Sequence, residues 1–132
     1  MNSATQAFKQ LLKTHNRFLL SSHIDPDGDG LGGCLALEAV LRSLGKQVCT
    51  VLSSPVSDRY KFLPGSESIL SEFPSDLGGS KSTVLITVDA PNLARLGFKE
   101  GELSRLDPIV VNIDHHTSNE HFGDIVILDE SS

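Results

Sequence analysis

Three short apolar segments, each followed at once by acidic or histidine side chains, constrain the fold of this chain more than any other feature. The strongest is TVLITV at Thr83–Val88, which shows no alternation of polar and apolar residues. Such a segment is typical of a strand that is buried on both faces, as in a parallel sheet. The segments RFLLSS (Arg17–Ser22) and IVVNI (residues 109–113) have the same character. We therefore expect a parallel sheet that is covered on both sides.

Helical segments separate these strands. Apolar spacing predicts four of them, over residues 3–15, 31–44, 66–73 and 93–98. Two more strands are predicted, over residues 47–52 and 123–128. Because strands alternate with helices, the expected fold class is α/β, a three-layer Rossmann-like parallel sheet with helices on both faces.

The bulk properties restrict the partners of the chain. Its 132 residues correspond to about one domain, and the net charge of −6 leaves no broad basic face for long duplex nucleic acid. The sequence contains no apolar stretch of the ~20 residues that span a bilayer, and no secretory signal, so no membrane partner is expected. Cys34 and Cys49 lie within apolar segments and are read as buried thiols, which favours a reducing, cytoplasmic location.

Side chains that bind metals follow the three apolar strands. The first strand is followed by His23, Asp27 and Asp29, the third by Asp89, and the fourth by the segment Asp114-His115-His116. In an open parallel sheet, ligands bind outside the carboxyl ends of the strands. These residues are therefore expected to meet at one edge of the sheet, whereas Asp25 has no such support and is read as a surface residue.

The charges of these segments require cations. Four carboxylates would share a small region, and the three segments contain no lysine or arginine: Asp27, Asp29, Asp89 and Asp114. A mixture of carboxylates and neutral imidazoles suits Mn²⁺, with Mg²⁺, Fe²⁺, Co²⁺ or Zn²⁺ as alternatives. About six donors are too many for one ion with an open position, and they favour two ions about 3.5–4 Å apart.

Other interpretations of the same residues remain open. The segment from Gly28 to Gly33 matches G-x-G-x-x-G, the pattern of dinucleotide sites, although Asp27 and Asp29 would then face a pyrophosphate without an intervening cation. We expect instead that Gly32 and Gly33 allow close approach of the backbone at the helix start. An aspartate at a strand end is also commonly a helix cap, and a histidine pair can belong to a solvated turn.

The chain resembles a known family at three motifs. The segments His23-Ile-Asp-Pro-Asp-Gly-Asp29, Val88-Asp89 and Asp114-His-His-Thr-Ser-Asn119 are similar to the first three motifs of the DHH phosphoesterases. That superfamily includes RecJ-type exonucleases, exopolyphosphatases, manganese pyrophosphatases and cyclic-dinucleotide phosphodiesterases. Within it, YKFLPG at residues 60–65 most resembles the branch of oligoribonucleases that are also pAp phosphatases.

The resemblance implies a role for each matching residue. His23 and Asp27 would bind one metal ion, Asp29 and His115 the other, and Asp89 would bridge the two. The resemblance implies two further catalytic residues beside Asp89. His116 would contact the substrate phosphate or assist the leaving group, and Asp114 would fix the orientation of a histidine ring. Asn119 would support the third motif or touch the phosphate.

The implied activity is metal-dependent phosphoester hydrolysis by a water that two metal ions activate. The expected substrates are short RNA oligonucleotides and 3′-phosphoadenosine 5′-phosphate. The alternatives are another DHH activity (cyclic-di-AMP phosphodiesterase, exopolyphosphatase or RecJ-type single-strand exonuclease) and, from a different class, a non-catalytic nucleotide-binding module.

The resemblance also implies that the catalytic domain at residues 1–132 is incomplete at its carboxyl terminus. Family members carry a fourth-motif aspartate further along the chain, and a second, substrate-binding domain that is absent from this chain. The segment alone is therefore expected to hold its metal ions weakly and to have little or no activity, and a homodimer is one expected state of the full-length protein.

Overall fold

The computed structural model describes residues 3–75, 77, 79–99, 101–114, 119 and 122–128. Five strands form one sheet: β1 Arg17–Ser22, β2 Gln47–Thr50, β3 Thr83–Val88, β4 Ile109–Asp114 and β5 Ile125–Leu128. All neighbouring strands are parallel, in the order β2-β1-β3-β4-β5. This arrangement confirms the predicted α/β class and its parallel sheet.

Among the described residues, three α-helices and three single-turn 3₁₀ segments precede or connect the strands. The α-helices are α1 Ser3–Thr14, α2 Gly28–Ser43 and α3 Glu102–Leu106, and the 3₁₀ turns are Asp58–Tyr60, Ser66–Ser68 and Leu93–Leu96. The short helix α3 was not predicted, because five residues are too few for a helical period to be recognised. Within the described part of the chain, no helix combines the length and apolar character needed to cross a membrane.

The helix predicted over residues 66–73 is wrong. Only Ser66–Ser68 turn, and the chain is already extended at Ile69. Leu70 then pairs with the chain just beyond β2, because its N–H donates to the carbonyl of Thr50 (2.9 Å) and its own carbonyl accepts from Leu52 (2.9 Å). Backbone hydrogen bonds to the open edge of the sheet therefore override the local helical pattern.

Apolar side chains pack against both faces of the sheet. On one face, α1 and α2 pack on side chains from β1, β3 and β4, with Phe18, Leu20 and Ile86 fully buried among them. On the opposite face, Leu19 and Leu85 contact a cluster that includes α3 and the segment around Phe73. Neighbouring residues of a strand point to opposite faces, which explains why these strands are apolar without interruption.

The carboxyl ends of the three central strands are level. Ser22 at the end of β1 pairs with Val88 at the end of β3, and Val88 pairs with Ile113 of β4. The chain runs from β1 outward to β2 on one side and then returns to β3 on the other. The boundary between β1 and β3 is therefore the topological switch point, where open α/β sheets leave a crevice for ligands.

Candidate metal centre

Three side chains converge at the switch point. His23 follows β1, Asp89 follows β3, and Asp27 lies between them, immediately before α2. Each offers one potential ligand atom, and these atoms all lie within 4.8 Å of one another. We call these three residues the ligand triad. Their convergence follows from level strand ends, because the residues directly after paired positions in parallel strands remain neighbours.

The ring of His23 is oriented for coordination. Its Nδ1 lies 2.7 Å from the carbonyl oxygen of Ile24, and its Nε2 lies 3.5 Å from Oδ2 of Asp89. A carbonyl can only accept, so Nδ1 carries the proton, and the lone pair of a neutral ring is on Nε2. A hydrogen bond of this kind commonly fixes the tautomer of a metal-binding histidine.

The loop that carries His23 is braced from both sides. The N–H of Ile24 donates to the carbonyl of Arg95 (2.6 Å), in the turn that follows β3. The N–H of Asp25 donates to Oγ of Ser54 (2.9 Å), beyond the end of β2. These contacts connect the first motif to both neighbouring strand ends.

Asp27 is both a triad member and the cap of α2. Its Oδ1 accepts the N–H of Gly30 at 3.0 Å, which extends the helix to Gly28, three residues earlier than predicted. That hydrogen bond is the main reason that the pKa of Asp27 is lowered, against the opposing effect of burial. An ionised carboxylate has about four lone-pair sites, so the cap leaves Asp27 able to bind a cation.

Asp89 is held in an unusual backbone conformation. Its φ of 63° is in the left-handed region, which costs a residue with a Cβ about 1–2 kcal/mol, less for aspartate. Its N–H donates to the carbonyl of Ile113 (2.9 Å), which continues the β3–β4 ladder beyond Val88. The residue is only 6% exposed. Strain of this kind is concentrated at functional sites, and here it accompanies the carboxylate that faces His23.

Two glycines of α2 allow the helix to approach the triad. A Cβ on Gly30 would lie 2.5 Å from Oγ of Ser22 and 3.4 Å from Oδ2 of Asp89, and a Cβ on Gly33 would lie 2.9 Å from Cγ1 of Val88. The expectation for Gly33 is confirmed. The expectation for Gly32 is wrong, because a Cβ there would meet nothing within 4 Å. Gly30 and Gly33 thus serve packing against the ends of β1 and β3.

A buried chain of amide groups supports the third motif. Nδ2 of Asn119 donates to Oδ2 of Asp114 (2.9 Å) and to Oδ1 of Asn112 (2.7 Å). Nδ2 of Asn112 in turn donates to Oγ1 of Thr87 (2.9 Å) and to the carbonyl of Ala90 (3.0 Å). Ala90 directly follows Asp89, so this chain of hydrogen bonds joins Asp114 to the segment that presents the triad.

The remaining predicted residues are placed as follows. Asp29 lies exposed in the first turn of α2, and its carboxylate is not in the group of converging donors. Asp114 is 5% exposed and Asn119 is 7% exposed, both in the hydrogen-bonded chain described above. His115 and His116 lie outside the described residues, so their predicted roles stay predictions.

The triad fits a divalent metal ion. One neutral imidazole and two carboxylates are a donor set that Mn²⁺, Fe²⁺ and Zn²⁺ accept. Two carboxylates this close would repel each other without a cation between them.

The sequence predicted all three residues of the triad but not the role of Asn112, which is a single polar residue within an apolar strand. A polar side chain in a segment buried on both faces needs a partner, and that was the available signal.

Comparisons with known proteins identify the family. The family model described as "DHH family, N-terminal domain" matches residues 17–131 of the chain. The bifunctional oligoribonuclease and PAP phosphatase NrnA of Thermus thermophilus is 31% identical over 113 residues, covering 85% of this chain and 32% of that protein. The cyclic-di-AMP phosphodiesterase GdpP of Geobacillus thermodenitrificans is 29% identical over 138 residues, covering 94% of this chain and 20% of its own length.

A solved structure agrees with these matches. The exopolyphosphatase-related protein from Bacteroides fragilis superposes with a TM-score of 0.80 at 25% identity, over 97% of this chain and 39% of that protein. The chain spans about a third of the length of the NrnA protein from Thermus thermophilus. Since the family match covers nearly all of the sheet and the whole ligand triad, the chain belongs to the DHH family, whose N-terminal domain it carries.

Proposed function

We propose that this chain is the metal-binding part of a phosphoesterase that hydrolyses short RNA oligonucleotides and 3′-phosphoadenosine 5′-phosphate. The observation that carries the proposal is the ligand triad at the topological switch point, with His23 Nε2 and the carboxylates of Asp27 and Asp89 directed to one place. Mn²⁺ is the proposed ion. Asp29 and His115 are proposed to complete a second metal position, with Asp89 shared by both.

The side chains have separate tasks in this proposal. When bound, divalent ions would supply Lewis-acid stabilisation of phosphoryl oxygens and would lower the pKa of an attacking water. Asp27 and Asp89 provide the negative charge that retains such ions, and the Ile24 carbonyl keeps the lone pair of His23 on Nε2. Asp114 and Asn119 position the third motif, and His116 is proposed to contact the phosphate. Asp89 itself is almost fully buried, which strengthens its interaction with a bound cation.

The substrates are proposed from the relatives and from charge. Two relatives are named as bifunctional oligoribonuclease and PAP phosphatase, from Thermus thermophilus and Streptococcus mutans. A chain with a net charge of −6 offers no basic track for a long nucleic acid. A short substrate needs none, because metal ions and a few contacts can hold it. The similarity to GdpP makes cyclic-di-AMP the second candidate substrate.

The proposal is tested by Mn²⁺-dependent hydrolysis with the full-length protein. We expect mononucleotide release from the dinucleotide pApA and phosphate release from 3′-phosphoadenosine 5′-phosphate, both abolished by chelation. Asp89→Asn should lower kcat/KM by at least about 100-fold, since even indirect contacts to a metal site contribute 10–100-fold. Asp107→Asn is the matched control. Asp107 lies just before β4, at the amino-terminal ends of the strands, whereas the triad lies at their carboxyl ends.

Four results would contradict the proposal. Full activity of Asp89→Asn would refute the bridging role of that carboxylate. Hydrolysis of cyclic-di-AMP alone would transfer the proposal to the second candidate. Binding of nucleotides in chelator without hydrolysis of any phosphoester would favour a non-catalytic module. Calorimetry with Mn²⁺ should give two ions per chain, and the absence of any uptake would refute the metal site itself.

A further inference from the structure

A cleft of about 350 Å³ adjoins the ligand triad on its outer side. Asp27 belongs to both, so the cleft opens directly beside the triad. The walls come from the first motif and from the turn after β2, and they are formed by Asp25, Pro26, Asp27, Pro55, Ser57, Arg59 and Tyr60. The cleft is therefore a second compartment of the same site, on the side of β1 that faces β2.

Among the described residues, Arg59 is the one positively charged side chain that lines this cleft. Two carboxylates, those of Asp25 and Asp27, line it as well, yet within the described part of the chain Arg59 forms no ion pair within 4.0 Å. The neighbouring Lys61 is different, because its Nζ is paired with Oδ1 of Asp58 at 2.8 Å. The guanidinium of Arg59 thus keeps its donors for another ligand.

The ring of Tyr60 supports this guanidinium. The central carbon of the Arg59 guanidinium lies 6.0 Å from the centroid of the ring, within the range of a cation–π contact. A Cβ on Gly28 would lie 3.5 Å from Cε1 of Tyr60, so the ring rests against the first residue of α2. The start of α2 therefore positions both the cap residue Asp27 and, through Tyr60, the cation across the cleft.

We propose that Arg59 binds a second phosphate of the substrate, carried by the same ribose as the phosphate at the ligand triad. This inference rests on the proposed function. The two proposed substrates share that feature: 3′-phosphoadenosine 5′-phosphate has phosphates on both sides of one ribose, and so does the first nucleotide of a 5′-phosphorylated oligonucleotide. One cation beside the triad would serve both substrates, and Tyr60 acts as a positioning residue.

The residue type fits this role. A guanidinium presents several N–H donors in a planar fork and binds phosphate oxygens in pairs. It also cannot lose its charge near neutral pH, so binding of the second phosphate would not depend on its protonation. The competing interpretation is that Arg59 only offsets the charges of Asp25 and Asp27. In that case its loss would affect all substrates equally.

The test compares two dinucleotides that differ only in the second phosphate. The full-length protein with Mn²⁺ is assayed on pApA and on ApA, and the ratio of the two kcat/KM values is the readout. The wild-type protein should prefer pApA. Arg59→Ala should lower the ratio by about 10- to 100-fold, the range for losing charge-assisted hydrogen bonds, and Arg59→Lys should lower it less. Lys61→Ala is the control and should leave the ratio unchanged.

The outcomes separate this inference from the function on which it rests. If the wild-type protein hydrolyses neither dinucleotide, the proposed function fails. If it hydrolyses both and Arg59→Ala lowers both values equally, the function stands and the second-phosphate site is refuted. An equal preference for pApA and ApA in the wild-type protein would also refute it. Thermal unfolding of each variant identifies losses that come from misfolding, and Tyr60→Phe, which retains the ring, should keep the wild-type ratio.

Discussion

Substitution of Gly30 by alanine should disturb the site through packing alone. The added Cβ would lie 2.5 Å from Oγ of Ser22, much closer than such atoms approach, and 3.4 Å from Oδ2 of Asp89. The hydroxyl of Ser22 cannot yield freely, because it donates to the carbonyl of Val88 at 2.7 Å. Either this hydrogen bond breaks or the first turn of α2 moves away from the strand ends.

The expected loss of stability follows from three contributions. Overpacking a tight contact costs about 1–3 kcal/mol. The broken Ser22 hydrogen bond adds about 0.5–1.5 kcal/mol. Alanine in place of a helical glycine returns about 0.5–1 kcal/mol. Gly30→Ala should therefore lower the free energy of unfolding by about 0.5–4 kcal/mol. Because the new Cβ would also lie 3.4 Å from Oδ2 of Asp89, the substitution should weaken Mn²⁺ binding as well.

Three further variants make the experiment decisive. Gly32→Ala lies in the same helix with nothing within 4 Å of the new Cβ, so it should stabilise the protein slightly. Ser22→Ala removes the hydroxyl in the way, so the double variant Gly30→Ala/Ser22→Ala should be more stable than the sum of the two single changes. Urea unfolding gives the free energy of unfolding of each of the four variants. Equal stability of Gly30→Ala and Gly32→Ala would refute the proposed close contact.

Two other residues give direct tests of the structure. Asn112→Ala should lower the free energy of unfolding by about 2–4 kcal/mol, because three buried hydrogen bonds of about 1 kcal/mol each are lost. Urea titration measures this loss. A loss of stability no larger than that caused by substituting an exposed residue would contradict the chain of buried amide hydrogen bonds. Burial, followed by the charges of Glu38 and Asp89, raises the pKa of the Cys34 thiol from 9.0 to about 12. Cys34 should therefore resist alkylation in the folded protein. Because the unfolded thiol loses its proton first, stability should fall from about pH 9 toward pH 12, and Cys34→Ala should reduce that slope; rapid alkylation of the folded protein would refute this.

The sheet could be predicted from the sequence because its signal is local. TVLITV shows none of the alternation of polar and apolar residues that a half-exposed strand would need, and the structure confirms Thr83–Val88 residue by residue. The segment 66–73 failed for the opposite reason. Its apolar spacing is compatible with a helix, and only the open backbone groups of residues 50–52 draw Leu70 into an extended pairing. No local pattern contains that information.

The ligand triad could be predicted from strand polarity, whereas its support could not. His23 and Asp89 each directly follow a strand, so they lie close together when the two strands are parallel and end at the same level. Which residues hold them depends on contacts across the sheet. Asn112 is 25 residues from its partner Thr87, and Ser22 is 66 residues from Val88. Pairings of that separation are decided by the fold, so the sequence indicates only that a buried polar group needs a partner.

The distribution of charge around the switch point explains how an acidic domain can bind an anion. The carboxylates of Asp27 and Asp89 lie innermost, where only a cation can neutralise them. The cation of Arg59 lies further out, across a cleft that Asp25 also lines. A phosphate that approaches without metal would meet net negative charge, since one arginine faces at least three carboxylates. In the proposed function, bound metal ions would therefore favour binding of the substrate, and bound phosphates would in turn strengthen metal binding, because the two affinities are thermodynamically coupled.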